Sequence, residues 1–301
     1  MTTEKVFIYE WNALDEFLIA RMFPDATWLK ANLYDDHEDV IAQLSNHSGW
    51  FIFHINLTET AQIPRGRNEL CGRLQNQGFK IVNERVISIA KRRVQQTCRE
   101  LGLKTTNAPR SGPPGEMLIV KTNQNYGGLT ERGLTSAERL RLKINQVVSS
   151  ATLDYDILPR AEIPSATWES PEYVVERYIE NSANLFYRIH LFQKHIVVSR
   201  VVDDAPVKRF PPGQIRDDWH FVKQANEFVN ISSRTGVPAN LMNDVIKFSE
   251  SMGLDFGALD VVQDDEENFY IVDVNSTPWW GEIEEWDHEF IRFLSAGLQS
   301  C

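Results

Sequence analysis

The chain is poor in cysteine and has no apolar run long enough to cross a membrane. Its 301 residues include only three cysteines, Cys71, Cys98 and Cys301. Their odd number and wide spacing suit neither a disulfide framework nor a cysteine-ligated zinc site, so we expect reduced thiols. No run approaches the roughly 20 apolar residues of a transmembrane helix. We therefore expect no membrane segment and no membrane partner.

The N-terminus also lacks the features of a secretory signal. The segment MTTEKVFIYEWN has no basic region followed by an apolar stretch and a small-residue cleavage site. We therefore expect a cytoplasmic location. None of the seven histidines shows a metal-ligand spacing, and we interpret them all as structural or surface residues.

Positive charge is scarce, since the net charge is −11. An acidic surface repels nucleic acid and anionic membranes, so any phosphate-bearing ligand must be captured by a local basic pocket. This balance argues against a nucleic-acid partner and favours a small-molecule site. An acidic protein also attracts Mg²⁺ wherever its carboxylates converge.

The first part of the chain alternates strand-like and helix-like sequence. Short aromatic and β-branched runs at residues 5–9 and 49–55 predict strands of a small α/β domain over residues 1–88. Residues 84–101 then place apolar side chains at steps of three and four, which predicts an amphipathic helix. Gly102 follows as its stop.

A proline- and glycine-rich break, APRSGPPGE, separates a second unit, which we predict to cover residues 89–175. It contains the strand MLIVKT and the turn NYGG, then a predicted helix over 134–149. The predicted third unit covers residues 176–301, and the β-like segment YVVERYIE (173–180) runs across its boundary. Its predicted elements are two strands around Gln193 and Lys194, a loop over 202–219, a helix over 239–252, and strands over 256–263 and 269–275.

The last two strands predict an acidic hairpin. Asp273 and Asn275 are two residues apart on one strand, so both project from one face, about 6.6 Å apart. On this reading Tyr270, Val272 and Val274 face the other way. If a four-residue loop, 265–268, closes the hairpin, counting back places Asp260 directly opposite Asp273.

Like charges directly opposite each other destabilise a sheet. A divalent cation bound between them would turn this repulsion into a net attraction. Two carboxylates and an amide supply the oxygen ligands that Mg²⁺ accepts. The alternative is a solvated sheet face. A one-residue slip in register would place the aspartates on opposite faces.

Several basic residues stand in positions that favour an anionic partner. Lys121 lies inside the apolar strand MLIVKT, and the turn that follows it offers backbone N–H groups to phosphate oxygens. Arg188 and Arg200 lie in apolar strands, where a guanidinium needs a phosphate, a ligand carboxylate or an intramolecular acid. Lys91 belongs to a basic run that could equally be a solvated helix face.

In order and content, these pieces from about residue 84 to 282 resemble the ATP-grasp superfamily of carboxylate–amine ligases. The resemblance implies an α/β (α+β) fold: a small N-terminal α/β domain, then central and C-terminal α+β subdomains that clasp ATP. The acidic hairpin is similar to the metal-binding segment of the family. By that similarity the magnesium ligands are Asp260, Asp273 and Asn275.

The resemblance also assigns the nucleotide-binding groups. Lys91 and Lys121 take the positions of phosphate-binding lysines, and Gly127 and Gly128 take the position of a flexible lid. The acid that binds ribose is Glu176 or Glu180, because the spacing fits both. Two arginines complete the set: Arg188 would position the acyl phosphate and substrate, and Arg200 would face the phosphates.

The implied activity is ATP- and Mg²⁺-dependent joining of a carboxylate to an amine, each a small molecule or peptide, through an acyl phosphate. Two alternatives are a small-molecule kinase on a similar fold and a non-catalytic ATP-binding regulator. Trp279 and Trp280 follow the metal strand and are either core residues or a flat wall of the substrate site. A homodimer is one option for the assembly.

Overall fold

The computed structural model describes residues 4–12, 14–144, 155–207, 219–223, 237–281 and 287–300. Within these residues the strands form three separate sheets, of four, three and five strands in chain order. No helix in the described part of the chain has the length and apolarity that a membrane span requires.

The first sheet is parallel, with strand order β2-β1-β3-β4. Its strands are β1 (Val6–Glu10), β2 (Thr27–Lys30), β3 (Gly49–Phe53) and β4 (Phe79–Val82), and its helices are α1 (Leu18–Met22), α2 (His37–Gln43) and α3 (Arg67–Asn76). Both strands predicted from the aromatic runs are therefore confirmed. Helices cover both faces, so every residue of β3 is buried, as is usual in parallel sheets.

The second sheet is antiparallel, with order β6-β5-β7. Its strands are β5 (Met117–Thr122), β6 (Asp156–Pro159) and β7 (Tyr173–Arg177), and the short helices α5 (Leu129–Gly133), α6 (Ser136–Arg141) and α7 (Ser165–Glu169) accompany them. A capping box between Thr135 and Glu138 starts α6. The helix predicted over 134–149 is thus observed as α6 only, and residues 145–149 lie outside the described residues.

The third sheet is antiparallel, with order β10-β9-β8-β11-β12. Its strands are β8 (Leu185–Phe192), β9 (His195–Val202), β10 (Trp219–Lys223), β11 (Phe256–Gln263) and β12 (Phe269–Asn275), and its helices are α8 (Ala239–Met252) and α9 (Asp287–Ser295). The predicted hairpin strands and the predicted helix over 239–252 are confirmed. Residues 208–218 of the predicted loop lie outside the described residues.

The amphipathic helix predicted over residues 84–101 is observed as α4 (Lys91–Glu100), and it packs on the third sheet. The predicted start is wrong, because residues 84–90 are not helical and Ile87 is exposed. Val94 and Cys98 join α8 and the sheet in one apolar core. Cys98 and Cys71 are buried free thiols, as predicted, and burial raises the pKa of each to about 12.

The other face of the third sheet packs on the first domain and on α9. Phe192, Val197 and Phe256 share a core with Ile8 and Phe290. This packing covers only part of the face, and Arg188, Asp260 and Asp273, which lie farther along it, remain partly exposed. We call the space in front of these three residues the cleft. The division at residues 88 and 175 remains a prediction, and β7 runs across the second boundary.

Asn83 joins the first sheet to the third. Its side chain is buried and its φ is +59°, a left-handed conformation that asparagine tolerates. Its Oδ1 accepts the N–H groups of Asp255 and Phe256 at 2.9 and 3.0 Å, and its Nδ2 donates to the Phe256 carbonyl at 2.9 Å. Its own N–H donates to Asp255 Oδ2 at 2.8 Å. The end of β4 is therefore fixed against the start of β11.

Candidate functional site

Asp260 and Asp273 lie directly opposite each other in the β11–β12 hairpin, as predicted. The predicted four-residue loop is wrong, because Gln263 pairs with Phe269 and five residues form the turn. A β-bulge between the Asp260 and Val261 pairings then shifts the register by one. The longer turn and the bulge shift the register in opposite directions, so Asp260 still lies opposite Asp273.

The bulge also changes which residues face the core. Ile271 and Val274, three apart, both enter the core, which regular alternation forbids. The expectation that Tyr270 faces the core is wrong, since its hydroxyl donates to Asp264 Oδ2 at 2.9 Å. The backbone carbonyl of Val272 accepts from Lys121 Nζ at 3.4 Å. The bulged residue thus supplies a contact that an unbroken ladder would not offer.

The two aspartates are surrounded by cations. Lys91 Nζ lies 3.5 Å from Asp273 Oδ1, and Arg188 Nε lies 3.6 Å from Asp260 Oδ1. Burial raises the pKa of Asp260, and Asp273 adds to the rise, while Arg188 and the two lysines lower it. Asp260 Oδ1 is a buried oxygen that accepts no hydrogen bond within the described residues.

This pair of carboxylates fits a hard divalent cation. One buried carboxylate oxygen lacks a hydrogen bond, and two like charges share one rung of the sheet, so a cation between them would relieve both costs. Among the described residues, no group of three or more His, Cys, Asp or Glu side chains converges as a metal site. A metal would therefore depend on two carboxylates, with Asn275 as the additional oxygen donor.

Asn275 is engaged in local hydrogen bonds. Its Oδ1 accepts the N–H of Thr277 at 2.9 Å, and its Nδ2 donates to the hydroxyl of Tyr126 at 2.7 Å. The backbone donor fixes the orientation of the amide. The Thr277 hydroxyl also lies 3.4 Å from Oδ1, and it has Asn56 Oδ1 at 3.2 Å as an alternative acceptor, so a cation at Oδ1 would displace only this weaker contact.

Lys91 and Lys121 are both buried and converge on β12 from different elements. Lys91 begins α4, and its Nζ also donates to the Gln124 carbonyl at 3.3 Å. Lys121 Nζ lies 2.6 Å from Glu176 Oε2. The structure therefore brings both predicted phosphate-binding lysines to the edge of the cleft.

The two candidate ribose acids have different environments. Glu176 lies in β7 and is 1% exposed, because it is paired with Lys121. Glu180 lies just beyond the strand and is exposed. Glu176 therefore lies beside Lys121, whereas Glu180 forms no ion pair with a lysine among the described residues.

The predicted glycine turn is a tight left-handed segment. Tyr126, Gly127 and Gly128 have φ values of +46°, +65° and +71°. A Cβ at Gly128 would meet the end of the Gln124 side chain, which would have to move, and a larger residue there is disfavoured by backbone strain in any case. The N–H of Asn125 donates to Thr58 Oγ1 at 2.9 Å, which holds the turn against the first domain.

Arg200 does not join the other site residues. It pairs with Tyr187, whose side chain enters the core under α4 and α8, whereas Arg188 pairs with Ser199 on the opposite face. Since paired residues share a face, the β9 register places Arg200 away from Asp260. The predicted phosphate-facing position of Arg200 is thus corrected by strand parity.

Sequence reasoning missed two neighbours of the site. Gln95 is buried on α4, where its Nε2 donates to the Ile271 carbonyl at 2.8 Å and its Oε1 accepts the N–H of Thr106 at 2.9 Å. A glutamine among the apolar positions of a helix could have indicated a buried polar contact from the sequence alone. Tyr155, whose ring centre lies 5.9 Å from Lys121 Nζ, follows a segment with no distinctive pattern.

A cavity of about 510 Å³ lies apart from these residues, at the ends of β1 and β2. Trp11, Lys30, Tyr34 and Glu138 are among its lining residues. None of the predicted site residues lines it. It is separate from the cleft beside β12.

No protein-family model and no curated protein matches this sequence. Several solved structures share its fold. N5-carboxyaminoimidazole synthetase from Staphylococcus aureus matches with a TM-score of 0.51 at 11% identity, over 98% of this chain and 77% of that chain. The ATP-grasp ligase PsnB, complexed with a minimal precursor, matches with a TM-score of 0.53 at 9% identity, over 99% and 98% of the two chains.

A RiPP-associated ATP-grasp ligase from Chryseobacterium gregarium, in complex with ADP and a leader and core peptide, is similarly related. Its TM-score is 0.51 at 10% identity, over 99% of this chain and 97% of that chain. The chain therefore has the ATP-grasp fold, and the predicted fold is confirmed. At these identities the comparisons define the fold, and the chemistry must be argued from the site.

Proposed function

We propose that this protein is an ATP- and Mg²⁺-dependent ligase that joins a carboxylate to an amine through an acyl phosphate. The observation that carries the proposal is the convergence of Lys91, Lys121 and Arg188 on Asp260 and Asp273 at one end of β12. The similar solved structures include ATP-dependent ligases, one of them determined with Mg and ADP.

Each side chain has a separate task in this proposal. Asp260 and Asp273, with Asn275, would hold Mg²⁺, which when bound screens the charge of the phosphates. Lys91 would exchange its contact with Asp273 for phosphate oxygens, and Lys121, while still paired with Glu176, would donate its remaining N–H groups to them. Both lysines are buried, so their charges act on the phosphates with little screening by water.

The reaction has two steps. A carboxylate oxygen of the acid attacks the γ-phosphorus, the bond to the β-phosphate oxygen breaks, and ADP leaves with that electron pair. The amine nitrogen then attacks the acyl carbon, the bond to the phosphate oxygen breaks, and phosphate leaves with the amine proton. Arg188, beside Asp260, would hold the acid in line for the first step.

The remaining predicted residues complete the nucleotide site. Glu180 is the proposed ribose ligand, since Glu176 is committed to Lys121. Gly127 and Gly128 are the proposed lid, which would keep water from the acyl phosphate. Peptide substrates gain support because PsnB and the C. gregarium ligase were solved with peptides.

The first test is ADP release with Lys121→Ala and Asn275→Ala. Each should lower ATP turnover at least about tenfold, the order expected for losing one contact that stabilises charge. Lys80→Ala is the control, because Lys80 is an exposed lysine over Trp50, away from the cleft. Unchanged turnover in both test variants would exclude the site as described.

Hydroxylamine distinguishes the ligase from its alternatives. A ligase traps the acyl phosphate as a hydroxamate when supplied with a suitable acid. ADP release with an alcohol and without hydroxamate would show a kinase. ATP binding without turnover, unaffected by Asp273→Ala, would show a regulator.

A further inference from the structure

A row of paired residues crosses all five strands of the third sheet beside the site. In strand order it reads Asp273, Asp260, Arg188, Ser199 and Trp219. Because directly paired residues share a face, these side chains line one wall of the cleft. The wall is acidic at β12, cationic at β8 and aromatic at β10.

Beyond Arg188 the wall carries one further charge in the described strands, Lys223, which lies four residues along β10 from Trp219. The next residue on this face of β8, His190, is 2% exposed, and burial, followed by the field of Arg188, lowers its pKa well below 6.5. It is therefore neutral at physiological pH. The Ser199 hydroxyl is buried and has no hydrogen-bond partner within the described residues.

Two tryptophans form an aromatic surface next to this neutral part. The rings of Trp219 and Trp280 lie 6.3 Å apart, and both pack on Phe290, at 4.9 and 4.3 Å. Trp280 also packs on His190 at 5.5 Å. Both tryptophans remain partly exposed, so part of each ring system is available to a ligand.

This arrangement offers a charged contact to one end of a ligand and an aromatic surface to the other. Arg188 is the one cation in the row, and it is suited to hold a carboxylate next to the phosphate site. The surface that continues from it offers aromatic faces and a single hydroxyl. A charged side chain placed against the two rings would lose part of its hydration without a charged partner in the row between Arg188 and Trp219.

We propose that the acid substrate carries a flat or bulky apolar group next to its carboxylate, as an aromatic amino acid or a peptide ending in one does. The carboxylate lies against Arg188, and the apolar group lies against Trp219 and Trp280. This inference rests on the proposed function, because it specifies the acid of that reaction.

The test is hydroxamate formation from Mg-ATP, hydroxylamine and N-acetylated amino acids. N-acetyl-phenylalanine and N-acetyl-tryptophan should exceed N-acetyl-glutamate and N-acetyl-lysine at least about tenfold in kcat/KM, a typical discrimination for an apolar pocket. Trp219→Ala should raise the KM for the aromatic acids at least about fivefold, leave the KM for ATP unchanged and remove the preference.

Trp168→Ala is the matched control, because Trp168 packs in the separate core of the second sheet. Trp219→Leu is a milder second variant that keeps an apolar side chain, and it should raise the KM for the aromatic acids less than Trp219→Ala does. Turnover without preference, a preference for charged acids, or an equal effect of Trp168→Ala would overturn the inference and leave the ligase function standing. Absence of hydroxamate with every acid would overturn both.

Discussion

At the scale of single residues, Tyr126 links the glycine turn to β12. Its hydroxyl accepts from Asn275 Nδ2 at 2.7 Å, although its backbone is left-handed at φ +46°. Desolvation raises the pKa of its phenol, and the charges of Arg188, Asp273 and Asp260 also act on it. The phenol is therefore protonated and holds the turn over the carboxylates.

Tyr126→Phe should release this turn. Loss of one neutral hydrogen bond, about 0.5–1.5 kcal/mol, should increase amide exchange of residues 124–128 about two- to tenfold. Hydrogen exchange read by mass spectrometry measures this directly. Tyr178→Phe is the control, since its hydroxyl donates to the Pro206 carbonyl and not to the metal strand. Equal exchange in the wild type and Tyr126→Phe would show that the contact does not hold the turn.

From the sequence alone, charged residues inside apolar segments could be recognised as candidates for the site. Lys121 and Arg188 are charged groups in apolar strands, and the structure gives both an acidic partner. Arg200 also lies in an apolar strand, but the strand register places it on the opposite face of the sheet from Arg188. A two-residue turn at Gln193 and Lys194 pairs residue 188 with 199, so 200 must face the other way. Sequence counting could have shown this.

At the scale of elements, the contact between β4 and β11 depends on Asn83. Asn83→Ala would leave several buried backbone groups of Asp255 and Phe256 without partners. It should lower the free energy of unfolding about 3 kcal/mol more than Asn46→Ala does, because each such group costs about 1–3 kcal/mol. Urea denaturation of the two variants gives the comparison.

Asn46 is a suitable control because it is exposed and shares the left-handed conformation, with φ +67°. Both substitutions therefore introduce similar backbone strain. The difference between the two variants in free energy of unfolding then reports the hydrogen bonds of Asn83. Equal destabilisation would mean that strain, rather than the joint between the sheets, determines the cost.

Helices and strands with a clear repeat of apolar residues were predictable from the sequence, but the turn length and the bulge within the hairpin were not. Both hairpin strands end where the alternation of apolar residues predicts. The five-residue turn and the bulge at Val272 were not predictable, because nearby registers differ by little energy and the contact with Lys121 comes from a distant segment.

At the scale of the whole molecule, buried histidine makes stability depend on pH. The pKa of His190 lies well below its ordinary value of 6.5, so between these values the unfolded chain binds a proton that the folded chain does not. The free energy of unfolding therefore decreases as pH falls below about 6.5, by up to about 1.4 kcal/mol per pH unit from this residue.

His190→Gln should remove this dependence. The stability difference between the wild type and the variant should be constant above about pH 7 and decrease towards about pH 5.5. Urea titrations at a series of pH values measure it. A difference that stays constant over the whole range would contradict the assignment of a neutral His190.

The fold as a whole was predictable from the order of motifs, because the strand lysine, the glycine turn and the acidic hairpin follow one another in the order of the family that the sequence resembles. The aromatic surface formed by Trp219 and Trp280 was not predictable. These residues are 61 positions apart, and the third sheet and α9 bring them together. This surface therefore depends on tertiary packing that no local pattern records.

The bulge in the hairpin bears on how this chain tolerates insertions and deletions. A shorter turn with an unbroken ladder and the observed longer turn with a bulge place Asp260 opposite Asp273 equally well. A lineage that lost one residue from the turn could keep both aspartates together by losing the bulge. Val272 would then be a regular strand residue, so length variation here should move the carbonyl that accepts from Lys121 while the two aspartates stay paired.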